Sequence, residues 1–413
     1  MSAIKIYPKP LSGQIKIPPS KSMAHRAIIC GALAVGVSRI YNVDASDDIS
    51  ATITAMETLG AVIKTKTEYL EINGISQEIL ASKSKMPKTI DCNESGSTLR
   101  FLIPIALRTS GTTRFIGKGN LGKRPLTTYH DIFENQGIRY NYWENMLDLT
   151  ISGALRPGNY QLRGDISSQF ISGLLFVLPL LDDDSTIIIT TELESKAYVD
   201  LTLEVLNDFG ISITKTQDNT FTIKGNQTYQ SRDYRVEGDY SQSAFFLSAN
   251  ALGSHVEVIG LKENSSQGDR VVIALLKQLS LVDKQVMIDA SECPDIIPVL
   301  TVVAALRRGT TKIVNARRLR IKECDRLHAI AAELEKLGAK ITEGLDYLTV
   351  QGARTLKGGV EVWSHNDHRI AMSLAIAATV CESPIILKDP ECVAKSYPHF
   401  FADFKALGGD FHE

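Results

Sequence analysis

Much that would mark a specialised chain is scarce in these 413 residues. The net charge is only −2, which gives no broad basic field for nucleic acid, so any anion site has to be local. No apolar run approaches the roughly 18 residues of a membrane span, and Met1–Leu11 lacks the hydrophobic stretch of a secretion signal. The six cysteines (Cys30, Cys92, Cys293, Cys324, Cys381 and Cys392) include no C-x-x-C pair and lack the dense spacing of a secreted scaffold. Reduced thiols in a cytoplasmic protein are therefore expected. H-E-x-x-H is missing and the eight histidines are scattered, so no metal held by the protein is expected. Low-complexity tracts and long linkers are absent as well. What is left is an ordinary soluble composition, 44% hydrophobic and 22% charged. Its length predicts two domains of roughly 200 residues each.

What the chain does have is self-similarity at a long period. A polar cluster followed at once by a small-residue apolar run occurs six times. Ser20-Lys21-Ser22 precedes AIICGALA, Glu94-Ser95-Gly96-Ser97 precedes LRFLIPIAL, and Asp165 to Gln169 precedes FISGLLFVL. Asp239 to Ser243 precedes AFFLSANAL, Cys293-Pro294-Asp295 precedes IIPVLTVVAAL, and Asn366 to Arg369 precedes IAMSLAIAA. Ser, Asp, Asn and Gly suit helix starts, and helices apolar on every side should be buried. After each comes an amphipathic run that usually ends in Gly, at Gly60, Gly137, Gly210, Gly338 and Gly408, where a left-handed C-cap fits. The fourth copy ends at Ser280 without one. Alternating stretches such as AVIKTKTEYLEI and AKITEGLDYLTV then read as strands. The chain is thus expected to be an α/β (α+β) protein of six strand–buried helix–strand–amphipathic helix–strand–strand copies, three per domain. The crossings fall at Pro18-Pro19 and Val236-Glu237-Gly238. This gives one domain over residues 20–236 and another over 1–18 plus 238–413, with the N-terminal strand in the second.

Buried helices carry unpaired N–H groups and a positive dipole end at their starts, which favours anions. The sequence adds Lys21, Arg26, Arg100, Arg124, Lys322, Arg326, Arg369 and Lys395 near those same starts. Caps explain the serines and aspartates but not the recurring cations, so a multiply anionic ligand is expected. For any one of these residues a solvated surface charge remains the alternative. Gly117, Gly119, Gly122 and Lys123 imitate a nucleotide loop, but Arg124 replaces the metal-binding hydroxyl and Pro125 follows. A glycine-rich turn presenting Arg124 fits better. Lys322-Glu323-Cys324-Asp325-Arg326 crowds one expected helix start, with Lys322 and Arg326 at i and i+4 on one face. Asp295 reads either as the N-cap of the fifth buried helix or as an acid–base group. Glu323 reads either as a surface partner of Arg326 or as an acid–base group.

The segments PPSKSMAHRA, ESGSTLRF, KRPL, GDISSQF, SKAYVD, CPD, RIKECDR, NDHR and CVAKSYP resemble, in order and spacing, the 5-enolpyruvylshikimate-3-phosphate synthases from near Gln14 to near Phe401. The resemblance implies two similar domains, each of three βαβαββ units with buried parallel helices, an inside-out α/β barrel. It places the active site in the cleft between them. It implies a shikimate-3-phosphate site of Lys21, Ser22, Arg26, Ser167, Ser168, Gln169, Ser195, Tyr198, Asp295 and Lys322. The implied phosphoenolpyruvate site is Lys21, Gly96, Arg124, Gln169, Arg326, Arg369 and Lys395, with Glu94, Arg100 and His368 nearby. Two positions depart from the family: many members have Asn where Glu94 stands, and some have Asn where Arg318 stands.

By the same resemblance, the 5-hydroxyl of shikimate-3-phosphate adds to C2 of phosphoenolpyruvate as C3 is protonated, and the adduct then expels phosphate. Asp295 would be the base, Glu323 the acid at C3, and Lys21 a proton carrier. Family members need no metal or cofactor and are sensitive to glyphosate. A monomer that binds neither nucleic acid nor membrane is expected. The related transferase acting on UDP-N-acetylglucosamine has Lys-Asn where Lys21-Ser22 stands here. A silent binding protein on the same fold would not be expected to keep Lys21, Asp295, Glu323, Arg124 and Arg369 together.

Overall fold

The computed structural model describes residues 2–76, 79, 86–109, 111–143, 146–216 and 219–413. They divide into two compact units, Lys21–Glu237, and Met1–Ser20 together with Gly238–Glu413. Each has its own hydrophobic core.

Lys21–Glu237 holds, among the described residues, α1 (Lys21–Leu33), α2 (Asp47–Leu59), α3 (Gly96–Thr109), α4 (Thr127–Gln136), α5 (Ser168–Val177) and α6 (Lys196–Asp208). The polar clusters seen in the sequence stand at the starts of α1, α3 and α5, and almost every residue of these three helices is buried. The sheets show why. In the second repeat Lys88–Asp91 runs parallel to Thr112–Ile116, which pairs antiparallel with Asp148–Ser152, itself paired with Arg139–Trp143. Ile90, Phe115 and Leu149 share one register row and are all buried, so this sheet turns an apolar face inward. The third repeat has the same order. The first repeat takes its leading strand from the far end of the unit, Asp233–Arg235 lying parallel to Val37–Tyr41.

Helix contacts are close. α3 packs along α5, and α1 packs on α2 and α6. A Cβ on Gly173 of α5 would collide with the Arg100 carbonyl and the Tyr129 hydroxyl, so only glycine permits this approach. Pro104 sits inside α3 and has no N–H for the Arg100 carbonyl four residues back. The Tyr129 hydroxyl of α4 donates to that carbonyl at 2.5 Å. A helix interruption is thereby repaired from a neighbouring helix.

The other unit holds α7 (Tyr240–Ala251), α8 (Val272–Leu279), α9 (Ile297–Leu306), α10 (Arg326–Lys336), α11 (His368–Ala378) and α12 (Phe400–Ala406). α7, α9 and α11 pack on one another, and every residue of α11 is buried. The fifth repeat repeats the sheet order given above. In the sixth, Glu361–Trp363 lies parallel to Ile385–Lys388, and the N-terminal strand Ala3–Tyr7 fits between Ile385–Lys388 and Asp410–His412. Among the described residues the fourth repeat is reduced to two parallel strands, Ser12–Lys16 and His255–Ile259. Its amphipathic helix α8 ends at Ser280 in right-handed backbone, as the missing glycine foretold.

Candidate active site

In Lys21–Glu237 the polar starts of α3 and α5 meet. Ser167 caps α5 by accepting from the Gln169 N–H at 3.3 Å, beside the buried Ser168. The Gln169 side chain then reaches α3, where its Oε1 accepts from Arg100 Nη1 at 2.7 Å and its Nε2 donates to Ser97 Oγ at 2.9 Å. Gly96 opens α3, and a Cβ there would lie 2.7 Å from Nη1 of Arg124 and 3.3 Å from Nη1 of Arg100. The short turn Leu121–Lys123 delivers Arg124, which is 7% exposed, while Gly119 lies against the Glu94 carboxylate with φ +56°. The glycine-rich segment is therefore a turn that presents Arg124.

At the start of α1, Lys21 Nζ donates to Asp48 Oδ2 at 2.7 Å, with both side chains mostly buried. Arg26, one turn later, is 2% exposed. It donates from Nε to Thr202 Oγ1 (2.8 Å), from Nη1 to the Ser22 carbonyl (2.7 Å) and from Nη2 to the Tyr198 carbonyl (3.0 Å). Burial lowers its pKa to about 10, so it stays charged near neutral pH. Arg26 thus fastens α1 to α6 and ties Ser22 to Tyr198, whose N–H donates to the Ser195 carbonyl at 3.0 Å. Ser195, which precedes α6, has φ 51° and ψ 43°, a left-handed backbone that costs a non-glycine residue about 1–3 kcal/mol. Such strain points to a constrained site.

In the second unit one of the two readings of Asp295 fails, and so does the shared helix face of Lys322 and Arg326. Asp295 is not an N-cap, because α9 begins at Ile297 and Asp295 turns its carboxylate elsewhere. Its Oδ1 accepts from Lys322 Nζ (3.2 Å) and Arg326 Nη1 (2.8 Å), and its Oδ2 lies 3.7 Å from Arg369 Nη2. Three cations outweigh a single cap bond of about 1 kcal/mol. Nor do Lys322 and Arg326 share a helix face. Lys322 ends the 3₁₀ turn Arg317–Ile321, and α10 starts only at Arg326, capped by Asp325, which accepts from the His328 N–H at 3.0 Å. The two cations converge on Asp295 from different elements.

Each arm of the buried Arg326 guanidinium has its own carboxylate. Nε donates to Asp367 (2.7 Å), Nη1 to Asp295 (2.8 Å) and Nη2 to Glu323 (2.5 Å). Burial opposes its charge, but these three anions raise its pKa well above the usual value. Burial also opposes the Asp295 anion, yet Lys322, Arg326 and Arg369 hold that carboxyl well below the usual range. Lys322 is itself lowered, burial outweighing the pull of Asp295. Glu323 is 15% exposed, so it is an ion-pair partner of Arg326 but not a surface one.

Asp367 also caps α11 by accepting from the Arg369 N–H at 2.8 Å. His365 and Asn366 before it are both left-handed, and the Asn366 carbonyl accepts from Lys395 Nζ at 2.6 Å. His368 and Arg369 are each 2% exposed. Arg369 lies over the Phe245 ring, 5.9 Å from its centroid, and its Nε and Nη1 make no hydrogen bond among the described residues.

Such arrays of buried, oriented cations suit ligands bearing carboxylate and phosphate groups. A sequence model of EPSP synthase (3-phosphoshikimate 1-carboxyvinyltransferase) matches residues 6–404. The chain belongs to the EPSP synthase family. Curated relatives named 3-phosphoshikimate 1-carboxyvinyltransferase agree with it along their length. Those of Clostridium botulinum (strain Alaska E43 / Type E3) and Clostridioides difficile (strain 630) are each 60% identical, covering 100% of this chain and 99% of their own. The fold is also that of the EPSP synthase of Acinetobacter baumannii (TM-score 0.80, 24% identity, 100% of this chain and 99% of that one). An enolpyruvyl transferase of Streptomyces tendae shares it too (TM-score 0.77, 17% identity, 99% and 98% coverage). The family motifs assign no role to three aspartates, Asp367 among them although it lies within NDHR. Asp48 has only the acidic first turn of α2 as a signal, and Asp367 only its cap position. Asp269 is 2% exposed and accepts from Ser241 Oγ, with no sequence signal beyond its place after Gln267-Gly268.

Proposed function

We infer that this chain transfers the enolpyruvyl group of phosphoenolpyruvate to the 5-hydroxyl of shikimate-3-phosphate and releases phosphate. The observation that carries the reading is Arg369. It is a guanidinium 2% exposed, with two nitrogens making no hydrogen bond among the described residues, beside the Asp295–Arg326–Glu323 network. A buried cation of this kind is stabilised by an anion that completes its bonds.

Both donor sets serve the same pair of substrates in this reading. Lys21, Ser22, Arg26, Ser167, Ser168, Gln169, Ser195, Tyr198, Asp295 and Lys322 hold shikimate-3-phosphate. Lys21, Gly96, Arg124, Gln169, Arg326, Arg369 and Lys395 hold phosphoenolpyruvate. The hydroxyl oxygen bonds to C2, its proton passes to Asp295, and Glu323 delivers a proton to C3. Glu323, now ionised, takes a C3 proton back as the C2–O bond to phosphate breaks, and Lys21, the proton carrier, protonates the departing phosphate. With Lys322, Arg326 and Arg369 all turned toward it, Asp295 is a weak base. Substrate anions that share those cations restore its basicity, so the base strengthens only when the site is filled. The protein acts as a monomer in the cytoplasm on this account, its six cysteines being free thiols.

Purified protein should release phosphate only when both substrates are present, and EDTA should leave the rate unchanged. Release from phosphoenolpyruvate alone would contradict the reading. Arg369→Gln should raise the KM for phosphoenolpyruvate by about 100-fold or more, the size expected when a buried charge-assisted pair is lost.

A further inference from the structure

Asp269 lies outside every role given so far. It stands in the short turn Gly268–Val271 between the fourth repeat's second strand and α8. The turn is tied to the start of α7: Ser241 Oγ donates to Asp269 Oδ2, and Gln267 bonds the Tyr240 N–H and the Gly238 carbonyl. Ser241 and Phe245 are i and i+4 on α7 and so share one face. Phe245 carries the Arg369 guanidinium on its ring. Asp269 and Arg369 therefore flank the same stripe of α7, within electrostatic reach of each other.

Resting on the function proposed above, we propose that Asp269 is a positioning residue whose charge sets how strongly Arg369 attracts the anionic groups of phosphoenolpyruvate. When ionised, Asp269 offsets the Arg369 charge and repels an arriving anion. When protonated, it leaves that charge to the substrate. Burial, with Asp295 second, pushes its carboxyl up to about 6, against the Ser241 hydrogen bond and Arg369, which favour the anion. Asp239 at the start of α7 adds to the upward push, and the buried thiol of Cys293 lies within electrostatic reach of the same carboxylate. A carboxyl placed this way changes charge near neutral pH, where the substrate is itself anionic.

The test is the KM for phosphoenolpyruvate between pH 5.5 and 8.5 in wild type, Asp269→Asn and Ser241→Ala. Wild-type KM should rise by about fivefold across this range as Asp269 ionises, a size expected of one charge acting through a partly shielded interior. Ionisation of the substrate phosphate contributes equally to all three proteins. Asp269→Asn should bind phosphoenolpyruvate more tightly at pH 8 and lose that part of the rise, with kcat and the KM for shikimate-3-phosphate little changed. Ser241→Ala removes a bond to the anion, so its rise should shift to higher pH. This second variant decides the matter if Asp269→Asn fails to fold. Profiles that coincide with wild type, or a KM raised at every pH in either variant, would overturn the proposal. If wild type releases no phosphate from the substrate pair, the underlying reading falls and this one with it. Turnover with coincident profiles removes this one alone.

Discussion

At Asp295 and Glu323 the side chain's neighbours decide between structure and catalysis. Both bond Arg326, so each substitution removes one anion from a buried cation that keeps two others. Asp295→Asn and Glu323→Gln preserve shape and should leave the protein folded, as checked by thermal melting. Each should lower kcat by about 10²–10⁴-fold if the group transfers a proton. Glu323→Gln should also slow the incorporation of solvent deuterium at C3, and near-normal kcat in either variant would make its carboxylate structural. Gly96 allows a second test. A methyl group there would sit 2.7 Å from Arg124 Nη1, closer than real contacts allow, so the guanidinium must move. Gly96→Ala should weaken glyphosate by at least about tenfold more than phosphoenolpyruvate, a difference of roughly 1.4 kcal/mol. Equal losses in Ki and KM would mean that Gly96 does not discriminate between them.

Helices were the legible elements, and the reason is local. A cap residue followed by a run of small apolar residues specifies both the start and the burial of α5 and α11 within a few positions. Only the cap reading of Asp295 fails: a carboxylate before a buried helix looks like a cap, while the cations that claim it come from residues 322, 326 and 369. Strand pairing was hidden for the same reason: nothing near Asp233–Arg235 announces that it lies beside Val37–Tyr41. The repair of α3 was equally invisible. It is testable as a pair, because Tyr129→Phe removes the donor to the Arg100 carbonyl and should destabilise Lys21–Glu237 by about 1–3 kcal/mol in denaturant titrations. In a Pro104→Ala background the restored N–H can take that carbonyl, so the same tyrosine change should cost clearly less. Additive losses would show that the hydroxyl does not substitute for the missing N–H.

Over the whole chain, the order of the sequence and the order of the sheets disagree. Among the described residues, 21–237 contain every strand of their own sheets, whereas 238–413 lack Ser12–Lys16, the partner of His255–Ile259, and Ala3–Tyr7, an inner strand with a ladder on each side. A fragment of residues 21–237 should therefore fold alone, and one of residues 238–413 should not, by near-ultraviolet circular dichroism and amide exchange. Lys5 pairs with His412 in an antiparallel ladder, so a short turn joining Glu413 to Ser2 would close a hairpin. The permuted fragment 238–413 followed by 2–18 should regain cooperative unfolding, and its failure to do so would remove the claim that this strand completes the unit. During synthesis the same topology sets a schedule. Ala3–Tyr7 is synthesised long before its partners Ile385–Lys388 and Asp410–His412. At about 5–20 residues per second it waits on the order of 20–80 s with both edges unpaired. Translation halted after Glu237 would leave a folded body trailing an unplaced N-terminal strand, the part a protease would reach first.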